Sequence, residues 1–230
     1  MIEMRKADDR SGWLDLRKGL ITGTSASAII GVNPHLDNAA CWELLTGRRE
    51  PVDLDGNPLV EYGRAAEDHL RELFRLDFPG LDVMHEPDSI VVNDRYPWAA
   101  ASLDGWIHEE PPLCYYDDAD TSTVKLGILE IKTATISSYL AKKKWENGIP
   151  DHYYTQVLHY MAVMEADFAI VVAQLKYEGD TVDGLVKVTR HYRIERSDVE
   201  KDIAYLMQEE EKFWRKYLLT DTRPPLKLNF

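Results

Sequence analysis

Three residues of this 230-residue chain have the types and spacing to do chemistry together: Asp104, Glu130 and Lys132. The stretch Gly127-Ile128-Leu129-Glu130-Ile131-Lys132 is apolar, β-branched and opened by a glycine, which predicts a β-strand. Side chains alternate faces along a strand. Glu130 and Lys132 therefore share one face, and Leu129 and Ile131 point into the opposite, buried face. On an edge strand such a pair would be a surface salt bridge. On a core strand it suits the border of an active site. Asp104 closes the apolar run Ala99-Ala100-Ala101-Ser102-Leu103-Asp104-Gly105, which predicts a strand ending in an Asp-Gly turn. The gap from Asp104 to Glu130 is long enough for a hairpin that lays the second strand beside the first. Two carboxylates meeting there could hold Mg²⁺, a hard cation that prefers oxygen ligands and keeps several waters. Lys132 beside them would orient and deprotonate a water, or stabilise charge building on a phosphate.

The elements that must position these groups can be read in order. Trp13 and Arg17, spaced i,i+4, share one face of a short helix within residues 10–21. Trp13 suits core packing. Thr22-Gly23-Thr24-Ser25 then reads as a helix start before Ala26, with Gly31 and Pro34 ending that helix. A helix N-terminus with free N–H groups, hydroxyls and a nearby arginine is an anion site. Asn38 is expected to cap a second helix over 39–46, closed by Gly47. A longer helix is predicted over 59–76, with Ala66, Leu70, Leu73 and Phe74 as its apolar stripe. Glu67 lies at the stripe's border, where a glutamate is ordinarily solvated.

Short strands are expected around 82–85, 89–92, 98–103 and 106–107, then an acidic loop over 109–125. A helix over 137–148 carries Lys142, Lys143 and Lys144, a solvated face or a contact to phosphates. Pro150-Asp151 opens the next helix, 151–165, on which Gln156 and Tyr160 are i,i+4 neighbours. Gln156 could position a water or a phosphate, and Tyr160 could contact DNA or, equally, pack in the core. His152 and His159 lack metal-ligand spacing. Residues 168–175 are nearly all apolar, the mark of a central strand buried on both faces. A further strand over 182–194 precedes a long helix over 198–219, capped by Ser197, and an extended tail from Thr220.

Composition narrows the function classes. The length suits one α/β (α+β) domain over 1–230, a mixed central sheet flanked by helices. No apolar run is long enough to span a membrane, and the first residues lack the apolar core of a secretion signal. Cys41 and Cys114 sit in unrelated contexts and read as reduced thiols of a cytoplasmic protein, Cys41 packing in the core. A net charge of −13 argues against a non-specific DNA coat, which would be basic. It leaves room for an enzyme that confines basic residues to a channel, and predicts DNA binding that needs divalent metal and weakens steeply with salt.

Six segments, in order, resemble the lambda-exonuclease-like (YqaJ-type) viral recombinases of the PD-(D/E)XK nuclease superfamily. They are Trp13-Leu-Asp-Leu-Arg17; Ile21-Thr-Gly-Thr-Ser25-Ala26-Ser27; Tyr62-Gly63-Arg64-Ala-Ala-Glu67; Ser102-Leu-Asp104-Gly105; Glu130-Ile-Lys132; and Gln156 followed by Tyr160. Leu103 stands where the superfamily's name has proline. The resemblance implies a metal-dependent 5′→3′ exodeoxyribonuclease acting on double-stranded DNA ends. Asp104, Glu130 and the Ile131 carbonyl would bind one or two Mg²⁺, with Mn²⁺ as a substitute. Lys132 would serve the attacking water and Glu67 would hold it. Arg17, one of Thr24 or Ser25, and Ser102 would capture the terminal 5′-phosphate. The family also implies a ring-shaped homotrimer and a single-strand annealing partner in phage recombination. Another nuclease of the superfamily (an endonuclease or a 3′→5′ repair enzyme) and a non-catalytic DNA-end-binding scaffold are the alternatives.

Overall fold

A computed structural model describes residues 1–110, 124–179, 182 and 184–227. Among these residues the fold is mixed α+β, with a five-stranded mixed sheet flanked by helices. The sheet is built from β2 (Leu81–Met84), β5 (Gly105–Glu109), β6 (Lys125–Ile136), β7 (Phe168–Glu178) and β8 (Leu185–Glu195), in that spatial order. β6 and β7 run parallel and the other neighbours are antiparallel. The parallel step needs a crossover. It is supplied by α5 (Tyr139–Glu146) and α6 (Asp151–Met164). A separate antiparallel sheet joins β1 (Ile2–Lys6), β3 (Ser89–Asn93) and β4 (Ala100–Ala101).

β6 alternates as its sequence predicts. Ile128 packs into a core shared with α2 (Gly23–Ile30), α6 and α7 (Arg196–Phe213). Leu129 and Ile131 pack on the other face, against Ala66, Leu70 and Phe74 of α4 (Pro58–Asp77). Burying a side chain the size of Leu70 or Phe74 contributes roughly 1.5–3 kcal/mol. Beyond Leu129, β6 is paired on its β7 side, and the Glu130-x-Lys132 pair is buried rather than a surface salt bridge.

Several boundaries differ from expectation, each for a tertiary reason. Residues 98–103 do not form one strand. β4 ends at Ala101 in the small sheet, and β5 begins at Gly105 in the large one. Asp104 therefore lies in the bend where the chain passes between sheets. The helix α3 (Asn38–Leu45) is capped by Asp37, whose carboxylate accepts from Ala40 N. Asn38 instead ties down the tail, donating to Pro225 O at 2.9 Å and accepting from Lys227 N at 2.8 Å. α4 buries Arg71 and leaves Leu73 half exposed. Its inner face is turned toward Glu67 and Arg71, the side away from Leu73. α7 starts at Arg196, with Ser197 bonded to Asp198 rather than capping, and its last turns widen into a π-helix, Trp214–Leu218. β1, an element outside the sequence expectation, pairs with β3. The acidic stretch 111–123, with Cys114, lies outside the described residues. Cys41 is buried, and burial pushes its thiol up to about 12.

Candidate active site

The site forms where β5 stops short of β6. β5 begins at Gly105, opposite Leu129, while β6 continues to Ile136 alongside β7. Past Leu129, the edge of β6 that faced β5 has no strand to pair with. Asp104 takes that place: its Oδ2 accepts a 2.7 Å hydrogen bond from the Ile131 N–H. The close approach depends on Gly105, where a Cβ would sit 3.0 Å from Met84 O. Arg71 Nε donates to the Asp104 carbonyl at 2.7 Å.

Glu130 is buried on the opposite face of β6 from Leu129 and Ile131, 1% exposed. Its Oε1 accepts from Lys132 Nζ and from Gln156 Nε2, the latter at 2.8 Å. Its Oε2 is buried with no hydrogen-bond partner among the described residues. Gln156 Nε2 also reaches the Tyr160 hydroxyl at 3.1 Å, so the expected i,i+4 pair of α6 acts as one unit. Glu67 arrives from α4. With Gly63, Ile131, Lys132, Thr133 and Tyr153 it lines a cleft of about 170 Å³.

The electrostatics follow from crowding. Burial first, and Asp104 second, push Glu130 up to about 8. The same two causes push Glu67 up to about 7. Burial alone would lower the Lys132 ammonium, but the Glu130 and Asp104 charges outweigh it and raise its pKa. A buried carboxylate oxygen without a donor is costly. The donor set fits a hard divalent cation: Glu130 Oε2 awaits a positive partner, and Asp104 lies close enough to repel Glu130. Among the described residues no three His, Cys, Asp or Glu side chains gather tightly enough to enclose an ion unaided.

A second cluster lies at the start of α2. Arg17 is the C-cap of α1 (Arg10–Leu16), and its guanidinium sits 4.1 Å from the Trp13 ring centre. Its Nη2 is 3.5 Å from Thr22 Oγ1, which is 3.5 Å from Ser25 Oγ. Both distances are too long for firm bonds. Burial lowers the Arg17 pKa and Tyr160 raises it. No carboxylate pairs with Arg17 among the described residues. Gly23 lets this end of α2 press against α6, since a Cβ there would meet Gln156 Cγ at 2.4 Å. The parallel bridge of Ile21 to Ala99 lays the Ser102 segment alongside, and Ser102 Oγ is buried without a partner. Thr24 is exposed, and of the two candidate hydroxyls Ser25 is the one near Thr22, which lies between it and Arg17. Thr22 was missed as a cluster member. Its position as N-cap of α2, with no side-chain cap bond, was the available signal.

Lys142, Lys143 and Lys144 are exposed on α5, and Lys142 Nζ lies 3.6 Å from Glu146. Burial, then nearby His35 and Lys132, lower His152 to about 4. His159 is fully buried between Glu210 (2.8 Å) and the Ala100 carbonyl (3.0 Å). Among the described residues no helix is long and apolar enough to cross a membrane.

The mixed sheet and its helices are the PD-(D/E)XK fold, shared with two solved exonucleases. An alkaline exonuclease from Laribacter hongkongensis is 15% identical and superposes with a TM-score of 0.55, over 92% of this chain and 100% of that one. Its complex with dAMP matches similarly, at 17% identity and 0.54 over 91% and 99%. A phage-related exonuclease from Haemophilus somnus 129PT is 13% identical, with a TM-score of 0.51 over 90% and 99%. The profile of the YqaJ-like viral recombinase domain matches residues 12–167, and the chain belongs to that family. The uncharacterised protein YqaJ of Bacillus subtilis (strain 168) is 27% identical over 222 residues, 94% of this chain. The chain spans 59% of that relative's length.

Proposed function

We propose that this chain is a Mg²⁺-dependent 5′→3′ exodeoxyribonuclease that degrades one strand of duplex DNA from its ends. The observation that carries the reading is Glu130, a buried carboxylate with one oxygen bound by Lys132 and Gln156 and the other without a partner, beside Asp104. The two exonucleases of this fold, one solved with a mononucleotide, support it. Asp104, Glu130 and the Ile131 carbonyl would hold the cation, which supplies Lewis-acid polarisation of the scissile phosphate and stabilises the leaving oxygen. Gln156 fixes the orientation of Glu130. Lys132, an ammonium between two carboxylates, orients the attacking water or offsets charge on the phosphate. Glu67 helps hold that water in the cleft it shares with Lys132. Arg17, with Ser25 or Thr24, Thr22 and Ser102, binds the terminal 5′-phosphate and sets polarity. Lys142, Lys143 and Lys144 contact the duplex backbone, and Tyr160 supports Gln156 from the core. A ring-shaped homotrimer, a single-strand annealing partner and a cytoplasmic setting belong to the same reading.

Linear duplex labelled separately at each end, with Mg²⁺ or EDTA, tests this directly. The 5′ label should be released first, and only with Mg²⁺. Closed circular duplex should resist digestion, whereas rapid nicking of supercoiled plasmid would favour an endonuclease.

A terminal 5′-phosphate carries more negative charge than an internal phosphodiester. An unpaired arginine at a helix N-terminus stabilises that excess. Wild type should therefore prefer 5′-phosphorylated over 5′-hydroxyl ends, and Arg17→Ala should erase about 1–3 kcal/mol of that preference. Rates on the two ends, measured for both proteins, check it. An equal loss on both substrates would give Arg17 a structural role only.

A further inference from the structure

We propose that Arg71 is a positioning residue that fixes Asp104 for the divalent cation; this rests on the metal-site reading above. Asp104 lies in a stretch with no ladder of its own, because β4 ends at Ala101 and β5 begins at Gly105. Two bonds pin it. The Ile131 N–H holds the carboxylate at 2.7 Å, and Arg71 Nε holds the carbonyl at 2.7 Å. Without the second bond, the first leaves the peptide free to rotate about the carboxylate.

Arg71 is an expensive choice for a merely structural contact. Its side chain is 6% exposed, and Asp68, the carboxylate it bridges among the described residues, is 80% exposed. A water-facing carboxylate compensates little for burying a guanidinium. The apolar stripe of α4 would be served as well by an aliphatic residue at this position. A guanidinium does what an aliphatic cannot: it reaches across from α4 and donates to a backbone carbonyl. Arg71 also stands one turn after Glu67, so the same bond sets the rotation of α4 that presents Glu67 to the cleft. One side chain thus sets the spacing of two acidic groups that approach from different elements. Partners of this kind, holding a metal ligand without touching the ion, change metal affinity 10–100-fold when removed.

The test titrates Mn²⁺ alone into wild type, Arg71→Lys, Arg71→Gln, Asp68→Asn and Asp104→Asn at 20 °C. Free Mn²⁺ is followed by electron paramagnetic resonance, with thermal melts in parallel. Arg71→Gln should bind Mn²⁺ at least about tenfold more weakly than wild type while still folded. Arg71→Lys, which keeps a cation but loses the fork, should fall between the two. Asp68→Asn should stay within twofold of wild type. A structural role would lower the melting temperature and leave the affinity of the folded protein unchanged. Arg71 variants that bind Mn²⁺ within twofold of wild type, when Asp104→Asn does not, would overturn the proposal and leave the metal site standing. Unfolding of both Arg71 variants at 20 °C would equally overturn it. Wild type that takes up no Mn²⁺, or Asp104→Asn that binds as wild type does, would remove the metal-site reading and this proposal with it.

Discussion

Asp104→Asn and Glu130→Gln should each lose at least about 10³-fold in nuclease rate while remaining folded. The magnitude follows from the several kcal/mol that a bound cation contributes at a reacting phosphate, at 1.36 kcal/mol per tenfold. The amide variants are the clean ones. Asp104→Ala would orphan the Ile131 N–H, which no strand can satisfy. An asparagine oxygen can still accept that bond. A carboxamide at 130 can likewise accept from Lys132 and Gln156. Cleavage of 5′-phosphorylated duplex in Mg²⁺, with circular dichroism as the folding control, decides the matter. Near-wild-type turnover in either variant would mean the cation sits elsewhere.

The same crowding should show in the melting temperature of metal-free protein. Glu130 and Glu67 titrate at about 8 and about 7, against an ordinary 4.5. In the pH range between those values the unfolded chain binds fewer protons than the folded one, so stability falls as pH rises. In EDTA the melting temperature should drop from pH 5 to pH 8. Glu130→Gln should remove much of the drop, and Mg²⁺ should reverse it at pH 8 by binding the folded state. A flat profile in EDTA would show that burial and the Asp104 charge do not hold these carboxyls above their ordinary range.

Lys132→Met is expected to lower the rate at least about 10²-fold at saturating Mg²⁺, the scale of one positioned electrostatic or acid–base group. Its Mn²⁺ affinity should be largely kept, because both carboxylates remain. Methionine retains the length and apolar stem but cannot donate to Glu130. Without metal, Glu130, already pushed up by burial, accommodates the loss by holding its proton at neutral pH, and bound Mn²⁺ takes that proton's place. The contrast between lost rate and kept affinity separates Lys132 from Asp104 and Glu130. A variant within tenfold of wild type would reduce the lysine to a partner that neutralises Glu130.

Much of this protein was legible locally. Period-two alternation put Glu130 and Lys132 on one face of β6 and Leu129 and Ile131 on the other, and the structure agrees. The end of α2 at Gly31, with φ of 85°, followed from capping preferences, and its start fell within the 22–25 stretch of hydroxyls. So did the opening of α6 after Pro150. These signals are local because each depends on bonds within a few residues.

What the sequence left open depended on partners far along the chain. Asp37 and Asn38 are both good caps, and the choice fell to Asp37 because Asn38 is taken by the tail. Leu73 and Arg71 compete for the inner face of α4, and the Asp104 carbonyl draws Arg71 inward. The run 99–105 looks like one strand, yet two sheets claim its ends. That division creates the bend at Asp104, and the late start of β5 opens the edge of β6 where Glu67, Asp104 and Glu130 approach one another. The sequence by itself determined which residues could do chemistry and the strand that carries two of them. Only the tertiary structure decided that they meet, because a strand's end and a helix's rotation are set by packing and hydrogen bonds between elements that no local pattern encodes.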